Sequence, residues 1–339
     1  MKKILFITQK RSDAIWIVDK SVKHELEKIE HPFDFLEIHE KWKWILNVLK
    51  NYIKNIFLLR RKCFRYDKLY FTWENPYWIF VRIIYWRKYI VMTIHHVEDY
   101  WGKTVVWKLI FKTTNLFIAI SEFTKSQLLE LWENKDKIKV NYNWISEVYY
   151  PEPIENFTDY QYILYVWTEI PRKNTDLLLE VFSEVLKKHT ELKLVKIWKP
   201  WSEEDKIRFD NKVKELWLKD SVIIKRNFIE DNELRRWYSN ALCYISLSKL
   251  EWFWLTIPEA MACGCPVIAS DIWPFREICR NMDVLVGLEG KKNIIHLLSK
   301  FISNSKYRKE MSMNWLKIAQ NFNREKNTNN LILSFENSK

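Results

Sequence analysis

Residues Glu251 to Asp271 read EWFWLTIPEAMACGCPVIASD, and this stretch decides the fold. Pro266-Val-Ile-Ala-Ser is a short apolar run of strand type that ends at Asp271. Pro258 to Cys263 predicts the opening turns of a helix, with proline near its start. Glu251 and Glu259 stand eight positions apart and bracket a short aromatic loop. A carboxylate entering a helix N-terminus can face a polyol, while the unpaired N–H groups there face phosphate. A loop, a helix and a buried strand in that order are one unit of an α/β domain, with the polar chemistry on the loop.

The same alternation extends through the chain. Strands are predicted at Lys3–Thr8, Phe33–Ile38, Lys68–Phe71, Tyr89–Ile94, Leu116–Ile120 and Ile138–Val140, with helical sequence between them. Asn143 to Tyr160, with Pro151, Pro153, Asn156 and Asp159, has little periodicity and reads as a linker. Strands resume at Tyr162–Val166, Leu192–Ile197, Val222–Ile224, Leu242–Ile245 and Val284–Val286. Strand–helix alternation of this kind predicts parallel, doubly wound sheets. The 339 residues suffice for two domains, expected at 1–155 and 156–339, with the final helices packing back on the first.

Glycine and tryptophan are abnormal. The chain has four glycines and nineteen tryptophans, and together they make up about 7% of it, the usual share of glycine alone. Tryptophan stands where turns call for glycine: Asn143-Trp144, Val166-Trp167, Trp198-Lys-Pro-Trp201 and Ile272-Trp-Pro274. Glycine codons read as tryptophan, as when UGA is translated Trp in a lineage that uses it for Gly, would produce this pattern. The alternative is a protein genuinely rich in tryptophan. Trp107 and Trp237 are candidates for real tryptophans under either reading.

The formal charge of +12 is spread through both halves and suits phosphorylated ligands, anionic lipid or nucleic acid without choosing among them. Five cysteines with no C-x-x-C pair point to reduced thiols and a cytoplasmic protein, Cys263 and Cys265 being read as buried small residues. No run reaches the ~18 apolar residues of a membrane span. Lys41 to Arg65 carries eight Lys or Arg and no acid, interleaved with Trp42, Trp44, Ile45, Leu49, Tyr52, Ile53, Ile56 and Phe57. At helical spacing these form an apolar face beside a basic one. That suits a helix lying on the inner face of the cell membrane, or an ordinary helix packed on a sheet.

Taken whole, the 251–271 string resembles the donor-site signature of retaining glycosyltransferases of family 4, on the GT-B fold, with Trp252 and Trp254 where that family has glycine. VWTEIPRKNTDLL, from Val166, is similar to the family's strand, glycine turn and basic pair. The resemblance covers about residues 160–320 well and the first half only in places. It implies two Rossmann-like α/β domains facing a central cleft, the first binding the acceptor and the second the nucleotide sugar. It implies that Arg172 and Lys173 contact the donor diphosphate and that Glu259 binds ribose hydroxyls. Glu251 would bind the transferred sugar, and Phe253, Trp254 and Leu255 would present backbone N–H groups. TIHHVEDY resembles a T-x-H-D segment, which places His95 near the anomeric centre and puts His96 where aspartate is usual. Ser121 is a family-typical helix opener, for which capping is the simpler account.

Two departures weaken the match. Thr168 stands where many members have a further arginine, and Asn227 replaces a glycine near the base. With no D-x-D motif, no metal or other cofactor is required. The implied reaction is retaining transfer of a sugar from a nucleotide-diphosphate sugar to a hydroxyl of a glycan or lipid-linked glycan, in cell-surface polysaccharide or glycolipid synthesis. No nucleic acid partner is expected. The rivals are a nucleotide-sugar epimerase on the same fold, a non-catalytic basic protein that binds membrane or nucleic acid, and a decayed enzyme whose cradle is blocked by real tryptophans.

Overall fold

In a computed structural model, residues 4–9, 23, 27, 33–38, 45–72, 77–85, 87–95, 97, 111–131, 134–251, 255–280 and 283–336 are described. The chain divides into two α/β units, Met1–Trp144 with Arg324–Lys339, and Ile145–Asn323. The last helix, α11 (Arg324–Glu336), therefore belongs with the first unit.

The first unit is a parallel sheet of six strands in the order β2-β1-β3-β4-β5-β6. They are β1 Ile4–Gln9, β2 Phe33–Ile38, β3 Lys68–Phe71, β4 Tyr89–Ile94, β5 Leu116–Ala119 and β6 Ile138–Val140. The runs are almost wholly apolar because a parallel sheet is covered on both faces. Leu5, Ile7, Leu69, Phe71, Ile90, Met92 and Phe117 form its core with Leu59 and Cys63 of helix α1 (Ile45–Cys63). Further helices among the described residues here include α2 (Tyr77–Ile84) and α3 (Glu122–Leu131). Ser121 caps α3, its Oγ accepting from Thr124 N at 2.9 Å.

The second unit repeats the plan in the order β12-β11-β10-β7-β8-β9, again all parallel. Its strands are β7 Tyr162–Val166, β8 Lys193–Ile197, β9 Val222–Lys225, β10 Cys243–Ser246, β11 Val267–Ser270 and β12 Leu285–Val286. Helices α4 (Thr175–Leu186), α5 (Glu203–Glu215), α6 (Asp231–Ser239), α7 (Thr256–Ala262), α8 (Trp273–Cys279), α9 (Lys291–Ser303) and α10 (Ser305–Ala319) complete it. The chain runs outward from β7 through β8 to β9, then returns to β10 on the other side of β7. The strand order thus reverses between β7 and β10, and ligands of open α/β sheets bind outside the carboxyl ends at such a point.

Helix α5 explains one tryptophan position in detail. Ser202 caps its start by accepting from Asp205 N, and acids fill the first turn. At its end Trp217 N donates to Lys214 O at 3.0 Å and Leu218 N to Val213 O at 2.9 Å. Those two bonds are the Schellman ending, whose residue after the cap is left-handed and usually glycine. Here it is Trp217, with φ 57° and 93% of its surface exposed. Trp167 after β7 has φ 155° and Trp198 after β8 has φ 110°, also territory that side chains disfavour. Trp237 differs: it is buried edge-on against Phe157 and Tyr162, and its Nε1 donates to Glu233.

Candidate functional site

The loops leaving β7 and β10, the strands that flank the reversal, are tied together. After β7 the chain passes Trp167, Thr168 and Glu169 into a single 3-10 turn, Pro171–Lys173. Tyr165 shapes the bend by donating its hydroxyl to Thr168 O at 2.7 Å. Asn174, left-handed at φ 56°, then swings the chain into α4. From the β10 side, Lys249 N donates to Arg172 O at 2.8 Å, and Arg172 Nη1 donates to Leu250 O at 3.0 Å.

This knot brings three of the expected site residues into contact. Glu251 accepts from Arg172 Nη1 at 2.7 Å with one carboxylate oxygen and from Lys173 Nζ at 2.5 Å with the other. Lys173 and Glu251 are both buried, whereas Arg172 keeps about a third of its side chain in solvent. Burial depresses the Lys173 pKa, and the Glu251 carboxylate works against that shift. The result is an ion triad, with Lys173 and Glu251 buried and Arg172 partly exposed, that holds two cations at the carboxyl end of the switch-point strands. Glu251 was expected at sugar hydroxyls; in this structure its two oxygens engage the basic pair.

Two of the three tryptophans with strained backbone lie beside the triad. Trp167 and Trp198 stack at 5.3 Å with planes 13° apart, and Lys173 Nζ is 5.4 Å from the Trp167 ring centre. The two indoles thus occupy the ground between the triad and the end of β8.

Glu259 sits in other surroundings. Tyr238 donates its hydroxyl to Glu259 Oε2 at 3.3 Å, and Tyr149 donates to Asp231 nearby at 3.1 Å. Part of the residue reaches solvent, but burial of its carboxyl, reinforced by the Asp231 charge, pushes its pKa up to about 8. Leu255 is half-buried at the start of α7, where its carbonyl accepts from Glu259 N at 2.9 Å. Phe253, Trp254 and His96 lie outside the described residues, as do Trp252 and Trp107. His95 belongs to the first unit: it follows β4, is buried, and its Nε2 donates to Thr72 O at 2.9 Å.

Sequence reasoning missed a second buried pair. Lys196 of β8 donates to Glu169 Oε1 at 2.6 Å and to Trp198 O at 2.5 Å. Both Lys196 and Glu169 are fully buried, and Arg226 joins them through Glu169 at 3.5 Å and Asp210 at 2.6 Å. Only Lys196, a charged residue in the buried part of the strand KLVKI, hinted at it. On the Lys41–Arg65 helix Ile56 is half-buried and Phe57 is 65% exposed, while Asn55, Leu59 and Cys63 are buried; Trp42 and Trp44 lie outside the described residues. The cysteines of the second unit, Cys263 and Cys265 included, are free and buried.

Residues 150–318, which carry the triad, Glu259 and the strand reversal, match the family described as Glycosyl transferases group 1. That match covers just under half of the chain. O-antigen chain mannosyltransferase B of Escherichia coli is 27% identical over 206 residues, 57% of this chain and 52% of that protein. The chain thus spans about half the length of that relative. Among solved structures, a glycosyltransferase of Rickettsia africae has a TM-score of 0.82 at 16% identity, covering 99% of this chain and 98% of its own. HepE of Anabaena, solved with UDP and glucose, has a TM-score of 0.79 at 15% identity, with 99% and 100% covered. The two parallel-sheet units are thus of GT-B type, and the matched segment lies within the second of them.

Proposed function

We propose that the chain is a retaining glycosyltransferase of family 4 type, transferring a sugar from a nucleotide-diphosphate sugar to a hydroxyl of a glycan or lipid-linked glycan in cell-surface polysaccharide synthesis. The observation that carries this reading is the Arg172–Glu251–Lys173 triad at the strand reversal of the segment that matches group 1. When the glycosyl–phosphate bond breaks, negative charge grows on the departing diphosphate. Two cations already fixed in a partly buried site stabilise that charge without reorganising. Arg172 grips phosphate oxygens through its planar fork, and Lys173 supplies a point charge. Glu251 orients both before the donor arrives and keeps its sugar-facing role as the donor enters. Glu259 takes the ribose hydroxyls, Phe253 to Leu255 offer backbone N–H groups, and His95 serves the anomeric centre. No metal is required for this chemistry.

The same reading assigns glycine to positions 167, 198, 252 and 254, because backbone must approach phosphate there. The test is calorimetric titration of UDP-, GDP- and ADP-sugars into a chain carrying Trp167→Gly, Trp198→Gly, Trp252→Gly and Trp254→Gly. One donor class should bind, and adding Arg172→Ala should weaken it at least about tenfold, the loss of a charge-assisted bond. Failure of every donor to bind would reject the proposal.

A further inference from the structure

Helix α1 carries large apolar side chains on its solvent side. Its core side is Asn55, Leu59 and Cys63, and the opposite side presents Lys54, Phe57, Arg60, Arg61 and then Phe64. Phe57 and Phe64 are 65% and 55% exposed, two helical turns apart, with Arg61 between them. The Arg65 guanidinium lies 5.3 Å from the Phe64 ring centre. Helix α2 ends beside this stretch: Tyr85 donates its hydroxyl to Arg60 O, and Lys88 Nζ donates to Phe64 O at 3.1 Å and to Tyr66 O. Ile83 and Ile84 of α2 are also exposed, as is Arg87 just beyond it. No acid occurs from Lys41 to Tyr66 or from Ile83 to Val97. This corner of the first unit therefore joins four large apolar side chains to a border of Arg and Lys.

We infer that this corner docks on an anionic lipid bilayer, with Phe57 and Phe64 entering the headgroup layer and Arg60, Arg61, Lys62, Arg65 and Arg87 lying over lipid phosphates. Cations alone would suit any polyanion. Ile83 and Ile84 have no stacking role against bases and gain only from an apolar medium, which a bilayer supplies and a nucleic acid does not. No helix among the described residues is long and apolar enough to cross a membrane, so contact is made in the plane of the interface. The inference stands apart from the donor reading, since none of these residues is in the segment that matches group 1.

The test is co-sedimentation of the full chain with vesicles of phosphatidylglycerol and phosphatidylcholine, against phosphatidylcholine alone. Binding should need the anionic lipid and weaken with salt. Phe57→Ser with Phe64→Ser should weaken it about tenfold, and Arg60→Gln with Arg61→Gln by a similar factor. All four side chains are solvent-exposed, so folding should be retained; Ile83→Ser with Ile84→Ser is the second apolar variant. Three results would overturn the inference: no binding to anionic vesicles, equal binding to phosphatidylcholine alone, or binding that survives both apolar variants and is matched by single-stranded DNA.

Discussion

Replacing Trp217 with glycine should make the protein more stable, although it removes the largest side chain in the repertoire. The residue occupies the left-handed position of the Schellman ending of α5, at φ 57°. A Cβ in that conformation costs about 1–2 kcal/mol. Glycine returns about 0.5–1 kcal/mol of this through the greater freedom of its unfolded chain. The indole is 93% exposed, so its removal sacrifices little packing. The net expectation is a gain of roughly 0.5–1 kcal/mol, or about 2 °C in the transition of a domain of this size. Trp217→Ala separates conformation from the loss of the indole, because alanine keeps the Cβ and should give no gain. Trp201→Gly, also exposed but at ordinary φ, should lower the transition slightly. Thermal unfolding of the four proteins by circular dichroism decides the matter. A Trp217→Gly protein no more stable than Trp217→Ala would refute the conformational argument, and with it the structural case for glycine at the strained tryptophans.

Two further outcomes follow from the charged groups. Glu251→Gln leaves the buried Lys173 without its counter-ion, and breaking such a pair typically destabilises by about 3–5 kcal/mol; urea unfolding should show a large fall in midpoint, and an unchanged midpoint would mean that the triad is not formed. Glu259 has a folded pKa of about 8 against an ordinary 4.5, so the folded state holds its proton more tightly than the unfolded chain does. Its contribution to stability is therefore fully present below pH 4.5 and is lost as pH rises toward 8. Glu259→Gln should flatten that part of the stability–pH curve, and a slope unaltered by the substitution would contradict the burial of this carboxyl.

Both sheets were legible because parallel strands are apolar throughout: ILFIT, KLYF and YILYV can be little else between turns. The unit boundary was less so. Asn143 to Tyr160 looks like linker, yet Glu152 N donates to Ser239 Oγ at 3.0 Å, Ile154 N to Asn240 Oδ1 at 2.8 Å, and Arg235 pairs with Glu152. Those partners lie far along the chain, so the sequence around the linker carries no trace of them, and the partition falls at Trp144. Arg172, Lys173 and Glu251 were recognisable as motif residues, but their convergence depends on β7 and β10 being neighbours, which is a property of strand order. The Glu169–Lys196 pair was hidden for a similar reason, one member lying in the loop after β7 and the other within the neighbouring β8, with no shared motif. The 3.6-residue period of α1 groups Phe57 with other apolar residues but does not say whether they face a sheet or the outside, and Phe57 is 65% exposed.

The claim of retaining transfer is tested most directly by proton NMR of the product formed from a nucleotide α-sugar, using the chain with glycine at positions 167, 198, 252 and 254 and a glycan acceptor. The account predicts that the first glycoside to appear has the α configuration of the donor, and that Arg172→Ala slows its formation. A β-linked product, or a donor left intact by a chain that binds it, would contradict the account.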